Sequence, residues 1–142
     1  MTQFLVEQYV DKIATHTIEV PVTASGRCPL PVDEILRNKR IVSVSVMDNP
    51  NDDAVSPSGA VVVSPQTLRT SYFDLKQLND ATLASHPVTD LVRRETDSAL
   101  RIVNICSFNP SKSTINIGFT ATTSAAVIQV GRVFVITFTY VR

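Results

Sequence analysis

The most regular hydrophobic pattern in the chain is "GRVFVITFTYVR", Gly131 to Arg142. One alternation set holds Arg132, Phe134, Ile136, Phe138 and Tyr140; the other holds Val133, Val135, Thr137, Thr139 and Val141. Both sets are rich in β-branched or aromatic residues, and no charge falls between Arg132 and Arg142. That predicts a strand inside a sheet, covered on both faces. "HTIEVPVTA" alternates as well, with Ile18, Val20 and Val22 on one face and Thr17, Glu19 and Thr23 on the other. Pro21 has no N–H for a ladder, so this strand belongs at an edge or carries a bulge.

"RIVSVSVMD" predicts a strand with Val42, Val44 and Val46 facing in and Ser43 and Ser45 facing out. "AVVVSP" and "LRTSYFDLK" predict two more, the first short and buried. "RIVNICSF" and "STINIGFTAT" follow as strands joined by the turn "NPSK", with Ile115, Ile117 and Phe119 alternating in the second. "SGRCPLP" and "NPNDDAVSPSG" concentrate turn-forming residues. "VDEILRNKR" predicts either a helical turn capped near Asp33 or a lead into the next strand. "QLNDATLASHPVTDLVRRETDSALR" predicts an extended segment through Leu83 and Pro87, then a connection or a short helix around Asp90 to Arg94.

Ahead of all this, "TQFLVEQYVDKIATH" puts Val6, Val10 and Ile13 at helical spacing, with Leu5 and Tyr9 alongside and Thr2 placed to cap. It is either a short amphipathic helix or an extended arm. Its apolar residues Phe4, Val6, Tyr9, Val10 and Ile13 are candidates for docking, on the chain's own domain or on a neighbouring subunit. Short strands with turn signals every ten or so residues predict an all-β fold. The architecture expected is an antiparallel β-sandwich or jelly roll, with a closed barrel as the alternative. Residues 1–16 form the arm or helix and residues 17–142 a single domain.

Composition narrows the partners. Thirteen basic and thirteen acidic residues leave a formal net charge of zero. Long-range capture of a nucleic-acid backbone or an anionic membrane is therefore not expected. No apolar run approaches the ~20 residues of a membrane-spanning helix. Phe4 to Val6 is too short for a signal-peptide core, so synthesis and assembly in a cytoplasm are expected. Cys28 and Cys106 are expected to be thiols, Cys106 packed in a strand, because a disulfide-stapled domain would carry more cysteines.

Chemistry is sparse. Of two histidines, His86 lies beside Ser85 and four residues before Asp90, while His16 has no evident partner. A nucleophilic site needs a hydroxyl or thiol within reach of an imidazole that a carboxylate orients; neighbours in an extended segment are not expected to achieve it. Neither cysteine has a second ligand at zinc spacing. Asp48, Asn49, Asn51, Asp52 and Asp53 offer clustered oxygens, but without the glycine and terminal glutamate of a calcium loop. The four glycines are scattered, so no phosphate loop is indicated. "RNKR" and "VRRE" are small basic clusters, solvated faces or ion-pairing surfaces. Tyr9, Tyr72 and Tyr140, with no Trp, are a thin supply of stacking aromatics. The chain is expected to be a non-enzymatic structural or binding protein, with no cofactor, metal or small-molecule substrate.

The order of "LPVDEILRNKRIVSVSV", "SYFDLK", "HPVTDL" and "FNPSKSTINI" resembles small β-sandwich virion proteins of tailed phages, of the crAss-like and related Bacteroidetes-phage capsid-auxiliary type. The residues that carry it are Leu30, Pro31, Leu36, Arg37, Lys39, Tyr72, Pro87, Leu91, Ser111, Lys112 and Ser113, across roughly residues 17 to 120. The resemblance implies a head or tail component such as a decoration protein. It further implies virion localisation, binding to other virion proteins such as the capsid protein, and homo-oligomerisation. The rival expectations are a carbohydrate-binding module of a receptor-binding fibre, with Tyr72 or Tyr140 exposed in a cleft, and an enzyme on a jelly-roll scaffold. Two histidines can hardly supply the metal site of the latter.

Overall fold

The computed structural model describes residues 13–31, 33–77, 80–93, 102–118 and 129–142. Among them, nine strands form two sheets: β1 (Ile13–Pro21), β2 (Arg27–Pro29), β3 (Arg40–Met47), β4 (Ser71–Gln77), β5 (Asp80–Pro87), β6 (Val92–Arg93), β7 (Ile102–Ile105), β8 (Thr114–Ile117) and β9 (Val133–Val141). The first sheet runs β1-β9-β3, with β6 and β7 both on the far side of β3; the second runs β2-β8-β4-β5. Among the described residues every pairing of these nine strands is antiparallel except β3 with β6. The fold is all-β, as the alternation predicts. Phe134, Ile136, Phe138, Ile18, Val20 and Val44 of the first sheet and Phe73, Leu75, Cys28 and Ile115 of the second belong to one buried cluster.

β9 is an interior strand, between β1 and β3. Phe134, Ile136, Phe138 and Tyr140 are all buried on its core face. On the opposite face Val133 and Val135 are buried, whereas Thr137, Thr139 and Val141 are half-exposed. Coverage on both faces therefore holds only for the first half. What covers that half is the segment 54–63, whose Val55 and Val61 form an antiparallel bridge. It joins β9 on the β3 side, where Val63 N–H donates to Val133 O at 3.0 Å and Val133 N–H to Val61 O at 3.0 Å. It reaches β1 on the other side, where Ser58 Oγ donates to Glu19 Oε1 at 2.6 Å. Because Glu19 is the register partner of Val135, the segment must cross over β9 at that level. The turn into β9 closes with Arg132 N–H on Gln129 O and puts Gly131 at φ +94°, where side chains are strained.

β1 starts at Ile13, inside the stretch assigned to the arm, so residues 13–16 are part of the sheet. Phe4, Val6, Tyr9 and Val10 lie outside the described residues. As Pro21 predicts, β1 is an edge strand among the described residues, paired with β9 alone.

β3 departs from the simple alternation. Against β9, Ile41 pairs with Tyr140 and Ser43 with Thr139, so Val42 is an extra residue in a bulge. The bulge lets Ile41 share the core face with Val44 and Val46, and all three are buried. Val42 is only half-buried and Ser43 is buried on the opposite face.

"AVVVSP" forms isolated bridges rather than a strand, and the segment after it is helical: α1 spans Pro65–Thr70. Ser64 caps it by accepting Thr67 N–H at 3.3 Å, and proline occupies the first turn, where its missing N–H costs nothing. Strand character begins only at Ser71. A 3₁₀ turn at Val88–Asp90 ends β5. "NPSK" contains a second, Pro110–Lys112, and it is no hairpin: β7 pairs with β3 and β8 with β4 and β2, so the chain changes sheets there. Gly118 marks a close approach, since a Cβ there would lie 2.9 Å from Thr70 O.

Candidate functional site

The polar side chains that could carry chemistry lie in the loops and on the strands β1 and β5 beside them. Asp33 opens the turn 34–38: its Oδ1 accepts Ile35 N–H at 2.8 Å and Leu36 N–H at 3.1 Å, while Arg37 N–H donates to its carbonyl. Asn38 ends the turn at φ 60°, a left-handed conformation asparagine tolerates. The other carboxylate oxygen of Asp33 meets His16 Nε2 at 2.7 Å, with both side chains mostly buried. His16 thus has a partner that its own sequence neighbourhood does not reveal. The pair ties edge strand β1 to the approach of β3.

His86 Nε2 meets Asp90 Oδ2 at 2.8 Å, because the 3₁₀ turn folds the chain back after Pro87. The turn, not an extended run, thus brings the carboxylate to the imidazole. Both partners are substantially exposed, so the pair contributes only a surface-level stabilisation.

The acidic loop after β3 is organised around Asn49, which is fully buried. Its Nδ2 donates to Val62 O at 3.2 Å and Val63 O at 3.0 Å, and its Oδ1 accepts Ala54 N–H at 2.9 Å. Asp52, at φ 56°, pairs with Arg132 Nη1 at 2.7 Å. The Asn49 and Asp52 oxygens are thus bonded within the chain itself. Among the described residues no group of three His, Cys, Asp or Glu side chains converges. Glu19 is bonded by Ser56 and Ser58, which hold its carboxyl below the ordinary carboxylate value.

Beside this loop lies an open cleft of about 390 Å³. Leu68 of α1, Val92 of β6, Pro50 and Pro65 form its apolar part, and Asp48, Arg69 and Thr89 its polar part. No tyrosine lines it. Tyr140 is 9% exposed on the core face of β9, and Tyr72 is half-buried in β4. Neither of the two tyrosines offered for stacking lines this cleft.

Of the basic clusters, Arg37 lies 3.9 Å from Glu34 with both side chains exposed, a pair of little energetic weight; Arg94 and Glu95 of "VRRE" lie outside the described residues. Neither cysteine forms a disulfide. Cys106, expected to be packed in a strand, is instead exposed just past β7, while Cys28 is buried in β2. Burial pushes the Cys28 thiol up from its ordinary value. Titration of the native protein with a chromogenic disulfide at neutral pH should therefore modify Cys106 rapidly and Cys28 only after denaturant is added. Equal rates at the two would contradict this arrangement.

No protein family, no curated protein and no solved structure matches the chain.

Proposed function

We propose that the chain is a virion structural protein of a tailed phage, a capsid-auxiliary or decoration subunit that binds neighbouring virion proteins and its own copies. In this reading the two sheets face each other as a β-sandwich of jelly-roll type, and residues before β1 serve as an interaction arm. The observation that supports it is how the polar chemistry is used. His16, Asp33, Asn49, Asp52 and Glu19 are each tied to another part of the same chain. A body whose loops are locked in this way suits repeated, rigid placement in a shell. The resemblance in residue order, from Leu30 to Ser113, points the same way.

The test is light scattering after size exclusion, on the full chain and on a variant lacking residues 1–12. The cut falls at residue 12 because Ile13 already pairs with Val141. The expected result is a defined oligomer that becomes smaller on truncation. A species of unchanged size would overturn the arm as a self-assembly device.

A further inference from the structure

We propose that the outer edge of β1 pairs antiparallel with β1 of a second copy, on a two-fold axis through Thr17, joining the two β1–β9–β3 sheets into one. The proposal deepens the assembly reading and rests on it. It starts from which backbone groups β1 has left over. Just past the strand, Val22 N–H donates to Arg132 O at 3.0 Å. Antiparallel pairs alternate between bonded and non-bonded, so residues an even step from Val22, namely Val20, Ile18, His16 and Ala14, spend their backbone groups on β9. Pro21, Glu19, Thr17, Thr15 and Ile13 then point theirs away from β9. A second observation agrees: Thr17 and Thr137 are register partners whose hydroxyls bond at 2.9 Å, as the closer side chains of a non-bonded pair allow. Proline sits in the outward set, where its missing N–H costs the β9 ladder nothing.

This edge carries little of the usual protection. Natural edges are blunted by lysine, by inward charge, by bulges or by shortness. β1 is nine residues long, "IATHTIEVP", with no lysine or arginine, and its register against β9 runs without a break. Among the described residues no strand lies on its outer side. Proline stands only at the last position, marking where pairing stops.

The occupant follows from the sequence of the edge itself. A two-fold through Thr17 sets Thr17 against Thr17 of the partner subunit, Thr15 against Glu19, and Ile13 against Pro21. All of these belong to the outward set, so their N–H and C=O groups meet directly, with proline supplying only its carbonyl. No like charges come together: the one carboxylate, Glu19, faces a threonine. Threonine pairs across strands are among the favourable ones. An isologous contact of this kind also closes, giving a dimer rather than a fibre.

The test is a charge swap at the axis. Thr17→Lys places two lysines opposite one another in the dimer, and Thr17→Glu places two glutamates there. Each variant is expected to weaken dimerisation roughly tenfold or more, measured by sedimentation equilibrium. An equimolar mixture of the two should restore the dimer. Thr17→Pro provides a second variant, since the N–H it removes faces away from β9: the folded circular-dichroism spectrum should persist while the dimer is lost. A native dimer indifferent to all three substitutions overturns the edge while leaving assembly through another surface intact. A native monomer across the accessible concentration range overturns self-pairing, and leaves the virion reading to stand on heterologous partners. A dimer that forms only when residues 1–12 are deleted also overturns the proposal, by showing that the chain's own N-terminus occupies the edge.

Discussion

Replacing Phe138 by alanine is expected to destabilise the fold by about 4 kcal/mol, within the range typical of fully buried aromatic truncations. Phe138 is completely inaccessible, in the middle of β9, flanked in register by His16 of β1 and Val44 of β3. It stands on the interior strand of its sheet, so neighbours on both sides hold the backbone in place and limit collapse into the cavity. Domains of this kind have roughly 5–15 kcal/mol of stability in total. The variant should therefore unfold at much lower urea concentration, or fail to accumulate. Thr139→Ala, one residue on and on the half-exposed face, should cost under about 1 kcal/mol. If the two substitutions cost the same in equilibrium denaturation, the assignment of faces on β9 is wrong.

The same site tests how the sheets are joined. The Phe138 ring lies 5.3 Å from that of Phe108, tilted by 39°, a geometry in which aromatic pairs add about 0.5–1.5 kcal/mol beyond burial. Phe108 belongs to the connection that leaves β7 in the first sheet and enters β8 in the second. Its backbone is pinned to the turn before β3, by Phe108 N–H to Lys39 O at 3.0 Å and Asn38 N–H to Phe108 O at 2.9 Å. The ring contact thus anchors the sheet-crossing segment to the interior strand.

What the sequence reveals follows from how local each signal is. The faces of β1 and β9 are visible because unbroken alternation is a local property, and the Asp33 turn because a side chain caps amides two and three residues ahead. The bulge at Val42 is hidden: "RIVSVSV" alternates perfectly, yet the pairing inserts a residue so that Ile41 can also reach the core. Helix α1 had a signal in "SPQT", a capping serine followed by proline, but valines before it and aromatics after it favour extended structure. His16 with Asp33, and Asp52 with Arg132, are separated by 17 and 80 residues, and no spacing rule announces such pairs. The destination of "NPSK" was hidden for a similar reason. A turn between two strands is compatible with a hairpin or with a change of sheet, and only the pairing of β3 with β7 decides.

Asn49 is where the locked-loop reading meets its sharpest test. Its side chain does what a short strand would otherwise do: it satisfies two carbonyls at Val62 and Val63 and the amide of Ala54, away from water. Asn49→Ala removes all three bonds and opens a small cavity. Leaving buried backbone groups unpaired costs about 1–3 kcal/mol for each group that water cannot reach, so a loss of about 3 kcal/mol is expected, with partial hydration offsetting the remainder. Asn49→Asp is isosteric but exchanges the two donors for acceptors, turning a carboxylate oxygen toward the carbonyls of Val62 and Val63. It should be at least as destabilising at neutral pH and recover part of the loss in acid, where a protonated carboxyl can donate again. The recovery should track protonation: the buried carboxyl titrates above the unfolded value, so its relative stability falls as pH rises between the two. The damage should also be regional. Amide exchange should quicken across 54–63 and at Val133, whose N–H is held by Val61 O, before it quickens in β4 or β8. Uniform loss of protection would mean that Asn49 acts through global stability alone. The covering of Val133 and Val135 by this segment would then not be a separately held unit.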